Sequence, residues 1–239
     1  MLERLWFPHD ISSFGPSIDS IFLLIFWLTV FTWAAVTVVQ VIFMYRYRAR
    51  PGRKAAHIEG NTRLEIAWTS ITAIIMVSLA LLSRSTWAEI KERGPPGQVF
   101  YAVTAKQFNW EITYPGPDGK LGDSDDVTVE NEFHVPLGKV VRIDLASKDV
   151  IHSFFVPSLR LKQDAVPGRT IHVWFQALET GTFEIPCAEL CGFGHSGMKG
   201  SLVVESEEDY QNWLKKTYAE RGVNSKVALA HRQEASHDE

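Results

Sequence analysis

Cys187-Ala-Glu-Leu-Cys191-Gly-Phe-Gly-His195-Ser-Gly-Met198 holds the only two cysteines of a 239-residue chain. Within twelve residues it offers two thiols, an imidazole, a thioether and the carboxylate of Glu189. Soft sulfur donors beside an imidazole suit copper, zinc or iron rather than magnesium or calcium. The thioether tilts the choice to copper, because zinc sites take Cys, His, Asp or Glu. Three glycines and no long apolar run make the segment a loop with backbone free to wrap around an ion. A disulfide between Cys187 and Cys191 is the alternative for an exported domain. A disulfide gives no reason for His195 and Met198 at these offsets.

The loop lies among short β-rich runs. Expected strands are Val99–Ala105, Trp110–Thr113, Val127–His134, Val140–Ala146, Thr170–Gln176, Thr182–Ile185 and Ser201–Val204. Turn signals separate them at Pro115-Gly-Pro-Asp-Gly119, Pro136-Leu-Gly138 and Pro167-Gly168. Strands at this spacing build a sandwich or barrel. Ser206–Arg221 reads as a closing helix, with Ser206 as N-cap and Glu207, Glu208 and Asp209 in its first turn. The tail from Gly222 is polar and carries no evident chemistry.

Upstream the composition changes. Residues up to Trp87 hold five acidic and eight basic residues, leaving 23 of the chain's 28 acidic and 16 of its 24 basic residues for the remainder. Two parts so different in charge face different surroundings. Ser20–Tyr45 carries no charge and is long enough to cross a bilayer with some tilt. Arg46, Arg48, Arg50, Arg53 and Lys54 follow within nine residues, which after a span marks the cytoplasmic side rather than a nucleic-acid partner. Ile66–Ser83 is a second uncharged run, between Glu65 and Arg84, with Trp68 and Trp87 near its ends. The expected division is a lead at 1–19, a first span at 20–45, a basic loop at 46–64, a second span at 65–87, a linker at 88–98, a β domain at 99–205, and a helix and tail at 206–239. A hairpin of two spans leaves both termini outside. Met1–Asp19 is a short polar lead and not a convincing signal peptide, since the apolar stretch after it is too long and lacks a cleavage site.

A metal loop must be completed from elsewhere. Of eight histidines, His9, His57, His231 and His237 lie in the lead, the basic loop or the tail, and His134 and His172 lie within strands. His152 stands at the mouth of an inter-strand loop and is the best distant ligand. A mononuclear blue-copper site would use one Cys, two His and a weak axial Met and would leave a thiol over. Two coppers bridged by both sulfurs would use every donor.

Asp149–Arg169 (DVIHSFFVPSLRLKQDAVPGR) and Cys187–Met198 (CAELCGFGHSGM) resemble subunit II of the haem–copper oxidases, the cytochrome c oxidase type. The resemblance runs from the first span to Val204. It implies a two-helix transmembrane hairpin followed by an all-β cupredoxin-like Greek-key barrel, with a short C-terminal helix. It implies a binuclear mixed-valence copper centre, CuA. Cys187 and Cys191 would bridge the metals, His152 and Met198 would complete one, and His195 and the backbone carbonyl of Glu189 the other. The Glu189 carboxylate would point to a magnesium shared with subunit I. Glu65 matches a glutamate at the entrance of a proton path, against the plainer reading of a carboxylate that ends the span. Asp164 and Arg169 match positions at the contact with subunit I, against a surface salt pair.

The resemblance further implies electron transfer from a cytochrome c or similar carrier to haem in subunit I, where oxygen is reduced and protons are moved. This chain would not be catalytic alone. Subunit III and a lipid membrane would be further partners, and the setting a bacterial inner membrane with the copper domain in the periplasm. The rival readings are the copper subunit of a nitric oxide reductase and a copper-free structural subunit of a quinol oxidase. Retention of both cysteines, His152, His195 and Met198 argues against the latter. Better-known members receive the electron at a tryptophan where this chain has Phe108, while Trp110 keeps the second aromatic. Tyr114–Asp126 (YPGPDGKLGDSDD) is a longer, more acidic insertion than expected. It reads first as a solvated turn, with steering of a basic cytochrome or a calcium site as the alternatives. The sequence holds no C-x-x-C-H haem-attachment motif, and the expected electron source is a separate protein.

Overall fold

The computed structural model describes residues 7–222 except 56, 58 and 93. The expected tail beyond Gly222 and the first six residues of the lead lie outside the described residues. The chain divides into two units, a helical one over Ser17–Glu92 and a β unit formed by the rest.

Helix α1 runs Gly15–Arg46, starting five residues before the charge-free run, and helix α2 runs Thr62–Trp87. Pro16 sits in the first turn of α1, where a missing N–H costs nothing. Asn61 caps α2 by accepting from Leu64 N at 3.1 Å. Both helices are long and apolar enough to cross a membrane, and their apolar windows bury nothing within the chain. Trp27, Phe31, Trp33, Ile74 and Leu81 are all exposed. A helix apolar all round needs lipid or another protein about it. Inside the spans Thr29, Thr32 and Thr72 donate to the carbonyls of Ile25, Leu28 and Trp68, as polar groups without water must.

Among the described residues the β unit has ten strands. They are β1 (Val99–Lys106), β2 (Asn109–Tyr114), β3 (Val127–Glu130), β4 (Glu132–Pro136), β5 (Val140–Ser147), β6 (His152–Val156), β7 (Leu161–Ala165), β8 (Ile171–Gln176), β9 (Gly181–Pro186) and β10 (Lys199–Glu205). Five form one sheet in the order β3-β2-β1-β5-β8, three another as β4-β10-β9, and β6-β7 is a separate hairpin. Alternate residues of β1, β5 and β10 face the core. Edge-to-face ring contacts fill the interior, with centroid separations of 5.2 Å for Tyr101–Phe133, 6.2 Å for Phe133–Phe175 and 5.4 Å for Trp110–Phe154.

Two expectations change. Val127–His134 is not one strand, because Asn131 adopts φ 61° and breaks it. Asn131 takes Trp110 N on its side chain at 2.9 Å and Ser201 N on its carbonyl at 2.7 Å, so β3 stays with β2 while β4 joins β10. Asn tolerates the left-handed region better than other non-glycine residues. The second change is the β6–β7 hairpin, which the expected strands do not include.

The lead is more than a polar approach to the membrane. Ile11 and Phe14 are buried. Ile11 N donates to the Ser158 carbonyl at 2.9 Å, Leu178 N to the Ile11 carbonyl at 2.7 Å, and Ser13 N to the Gln176 carbonyl at 3.1 Å. Phe14 meets Trp174 edge-on at 5.3 Å. The segment thus occupies backbone groups at the outer edge of the five-stranded sheet, which would otherwise stand open.

Helix α3 (Glu207–Glu220) closes the chain, and the Ser206 hydroxyl accepts from Asp209 N at 3.1 Å as its cap. Tyr210 and Tyr101 share a 2.7 Å hydroxyl contact, and Trp213 stacks flat on His134 at 3.9 Å. His134 also meets Glu205 at 2.9 Å, and the exposed His172 meets Asp144 at 2.6 Å. Both are accounted for without a metal.

Candidate metal centre

The Cys187–Met198 loop is the connection of the β9–β10 hairpin. Pro186 and Lys199 are the last register pair, and beyond them Cys187 N still donates to the Met198 carbonyl at 3.1 Å. Ala188 N donates to the Ser153 carbonyl and Phe154 bridges Cys187, which moors the loop on β6. His152, the first residue of β6, is thereby brought under it. The far side is a chain of tight turns, His195 N to the Gly192 carbonyl, Gly197 N to Gly194 and Met198 N to His195.

The donors converge. The Cys187 and Cys191 sulfurs lie 3.9 Å apart, and both thiols are free. That separation is nearly twice a disulfide bond, so the sulfurs face a common space without joining. Cys187 Sγ lies 3.8 Å from His152 Nδ1 and 3.3 Å from the Glu189 carbonyl oxygen. Cys191 Sγ lies 3.5 Å from His195 Nδ1 and 3.9 Å from Met198 Sδ. His152, Cys187 and Cys191 bring one donor atom each to within 4.8 Å of one another. His152 is fully buried, Cys187, Cys191 and Met198 nearly so, and His195 is half-buried. The Glu189 residue is exposed.

Burial, reinforced by the neighbouring Cys187 sulfur, pushes the Cys191 thiol up to about 11. Two thiolates side by side in an apolar pocket need a cation between them. Thiol sulfurs, a thioether and imidazole nitrogens are the donor set that copper accepts, and the residues present fit it.

Two residues outside the expected set hold the site. Asp149 Oδ1 meets His152 Nε2 at 2.8 Å, and Asp149 Oδ2 accepts Gln107 N at 2.7 Å. The Gln107 side chain donates to the Cys191 carbonyl at 2.6 Å. The signal for Asp149 is its place three residues before a candidate ligand. Gln107 carries none.

Phe108 follows Gln107 at the β1–β2 turn and is partly exposed, 39%. Its ring lies on the loop backbone, where a Cβ at Gly194 would stand 2.5 Å from it and one at Gly192 3.2 Å. Glycine at both places is what admits the ring. Trp110 is different from a surface aromatic. It is wholly buried, with its ring edge-on to His152 at 6.2 Å. Around the loop Val150, Ile151, Leu190 and Phe193 are exposed.

Glu65 stands exposed in the first turn of α2. Asp164 accepts from Ser153 Oγ at 2.7 Å rather than pairing with Arg169. In the acidic insertion Asp118, Asp123 and Asp125 gather at one place, at the surface.

Residues 103–206 match the family model described as cytochrome C oxidase subunit II, periplasmic domain, and residues 14–85 match cytochrome C oxidase subunit II, transmembrane domain. Similar curated proteins include an alternative cytochrome c oxidase subunit 2 of Bradyrhizobium diazoefficiens, 31% identical over 257 residues, covering 98% of this chain and 92% of that protein. A cytochrome c oxidase subunit 2 of Thermostichus vulcanus is 29% identical over 260 residues, covering 89% of this chain and 78% of that one. Among solved structures, the periplasmic domain of subunit II of cytochrome oxidase from Bradyrhizobium japonicum aligns with a TM-score of 0.47 at 30% identity, over 53% of this chain and 97% of that chain.

Proposed function

The chain belongs to the cytochrome c oxidase subunit II family, and on that footing we propose that it receives single electrons from cytochrome c at a binuclear copper centre, CuA. It is a membrane protein with a periplasmic domain and a subunit of a haem–copper oxidase, not catalytic alone. Electrons pass from it to subunit I, where oxygen is reduced and protons are translocated.

One observation carries the reading. Each sulfur is flanked by one donor from each of two sets. Cys187 has His152 on one side and the Glu189 carbonyl on the other, and Cys191 has Met198 and His195. The family's arrangement pairs His152 with Met198 on one metal, and His195 with the Glu189 carbonyl on the other. A thiolate placed between two sets is what a bridge between two metals requires. A mononuclear site would leave one sulfur unused.

When bound, a bridged copper pair supplies a one-electron store that rearranges little as its charge changes. The chain's own residues supply the rest. Asp149 fixes the His152 tautomer, so that Nδ1 faces the sulfurs. The sandwich core and the buried Trp110 exclude water beneath the site. Phe108 offers an apolar contact over the loop. The Glu189 carboxylate, exposed on this chain, is free to face a magnesium shared with subunit I. Glu65 stands at the entrance of a proton path on the cytoplasmic side. Both termini lie on the periplasmic side, and subunit III and lipid complete the surroundings.

Stopped-flow mixing of the assembled oxidase with reduced cytochrome c tests this. Wild type oxidises the carrier in a fast phase. Phe108→Ala, which leaves every ligand in place, slows that phase and keeps the copper content. A Cys191→Ser complex that assembles with subunit I and retains the fast phase would refute the assignment.

A further inference from the structure

An open surface concavity of about 630 Å³ lies at the C-terminal end of α1. It is lined by Val41, Ile42, Tyr45, Arg46, Arg50 and Arg53. The turn at Pro51-Gly52, with Gly52 at φ 79°, sends the chain back along the helix end. Arg53 Nη1 then donates to the Arg46 carbonyl at 2.9 Å, satisfying one of the last acceptors of α1, and its guanidinium lies 5.6 Å from the Tyr47 ring centroid.

Three arginines therefore line one concavity. Among the described residues none of them is ion-paired with a carboxylate. Gathered like charges repel, and an anion placed among them removes the cost. A planar guanidinium fork matches phosphate oxygens two at a time. The rest of the lining, Val41, Ile42 and Tyr45, comes from the charge-free run of α1, a turn before Arg46. A concavity lined by arginines beside apolar side chains, at the end of a span, has the chemistry of a lipid at the membrane surface.

We propose that this pocket binds the headgroup phosphate of an anionic phospholipid, with Arg46, Arg50 and Arg53 on the phosphate and the acyl chain along Val41 and Ile42. Inorganic phosphate shares the anion chemistry but leaves the apolar side chains bare, so lipid is the occupant. The proposal rests on the hairpin spanning the membrane and is independent of how the copper loop is loaded.

The test uses the assembled oxidase in nanodiscs of phosphatidylglycerol and phosphatidylcholine, with lipids retained per complex counted by native mass spectrometry. Arg50→Gln/Arg53→Gln lowers the preference for phosphatidylglycerol by roughly tenfold, while the charge-matched pair Arg48→Gln/Lys54→Gln, outside the lining, changes it by less than about twofold. If the glutamine pair does not assemble, Arg50→Lys/Arg53→Lys replaces it, and the preference falls to an intermediate value because charge is kept and the fork is lost. Equal losses in the lining and control pairs mean diffuse attraction and overturn the proposal, as does no loss in either. A second arm titrates inorganic phosphate. Saturable binding that the glutamine pair abolishes, with lipid retention unchanged, would make this a free-anion site and also overturn it. Copper content, measured in parallel, stays constant throughout and separates failure here from failure of the metal assignment.

Discussion

The imidazole of His152 and the carboxylate of Asp149 meet at 2.8 Å, Nε2 to Oδ1, which turns Nδ1 of the same ring toward the Cys187 sulfur. Asp149 is itself anchored by the backbone N–H groups of Gln107 and Val150, each at 2.7 Å. Burial pushes its carboxyl up, and the hydrogen bonds from His152, Gln107 and Val150 outweigh that and hold it below the usual carboxylate range. A ligand oriented this way does not search for its rotamer when metal arrives.

Asp149→Ala should weaken copper retention by about 10- to 100-fold, the usual cost of losing a partner behind a ligand. Asp149→Asn keeps an oxygen for Nε2–H and should recover part of it. Competition with a chelator of known affinity measures both. Equal retention in the alanine variant and wild type would remove Asp149 from the site.

Phe14→Ala should lower the stability of the β unit by about 3 kcal/mol, the cost of deleting a buried aromatic ring. Phe14 belongs to no strand, yet its ring is buried and packs edge-on against Trp174 of β8. Urea unfolding followed by tryptophan fluorescence reads the change. A cost under about 0.5 kcal/mol, typical of surface substitutions, would mean the lead is not part of the core.

The acidic insertion carries a pH dependence. A shared hydrogen bond with Asp123, then burial, raises the Asp125 carboxyl to about 6. A folded value above the unfolded one favours the protonated folded chain. Its contribution is therefore fully present below the ordinary aspartate value and is lost as pH rises through about 6. Asp125→Asn should flatten the dependence of stability on pH between about 4 and 7, where wild type loses stability. Thermal unfolding across that range checks it. An unchanged slope in the variant would place the effect elsewhere.

Met198→Leu and Cys191→Ser should part company. The thioether is a weak donor, so the leucine variant keeps most of its copper and shifts in potential, whereas loss of a bridging thiolate removes the paired centre. Copper analysis with redox titration distinguishes them, and identical behaviour would contradict the roles given to the two side chains.

Much of this molecule is legible in its residues, for local reasons. Charge-free runs ending in arginines announce membrane-spanning helices, and alternation along Val140–Ala146 announces a half-buried strand. The donor types of Cys187, Cys191, His195 and Met198 announce a soft metal whatever the fold. What escapes depends on distance along the chain. His152–Val156 does not alternate because nearly all of it is buried, so no period marks it as a strand. The break at Asn131 lies in one backbone angle within an otherwise continuous run. Ile11 and Phe14 stand among polar residues and find their partners around residues 158 and 174–178. Gln107 reaches Cys191 across 84 positions, a contact no spacing suggests.

The central claim is that both sulfurs serve two metals at once. Copper counted per chain in the assembled oxidase, with the paramagnetic spectrum of the same sample, tests it most directly. The account predicts two coppers in this chain sharing one unpaired electron. A single copper with a localised spectrum, or a Cys187–Cys191 disulfide that persists under copper loading, would contradict it.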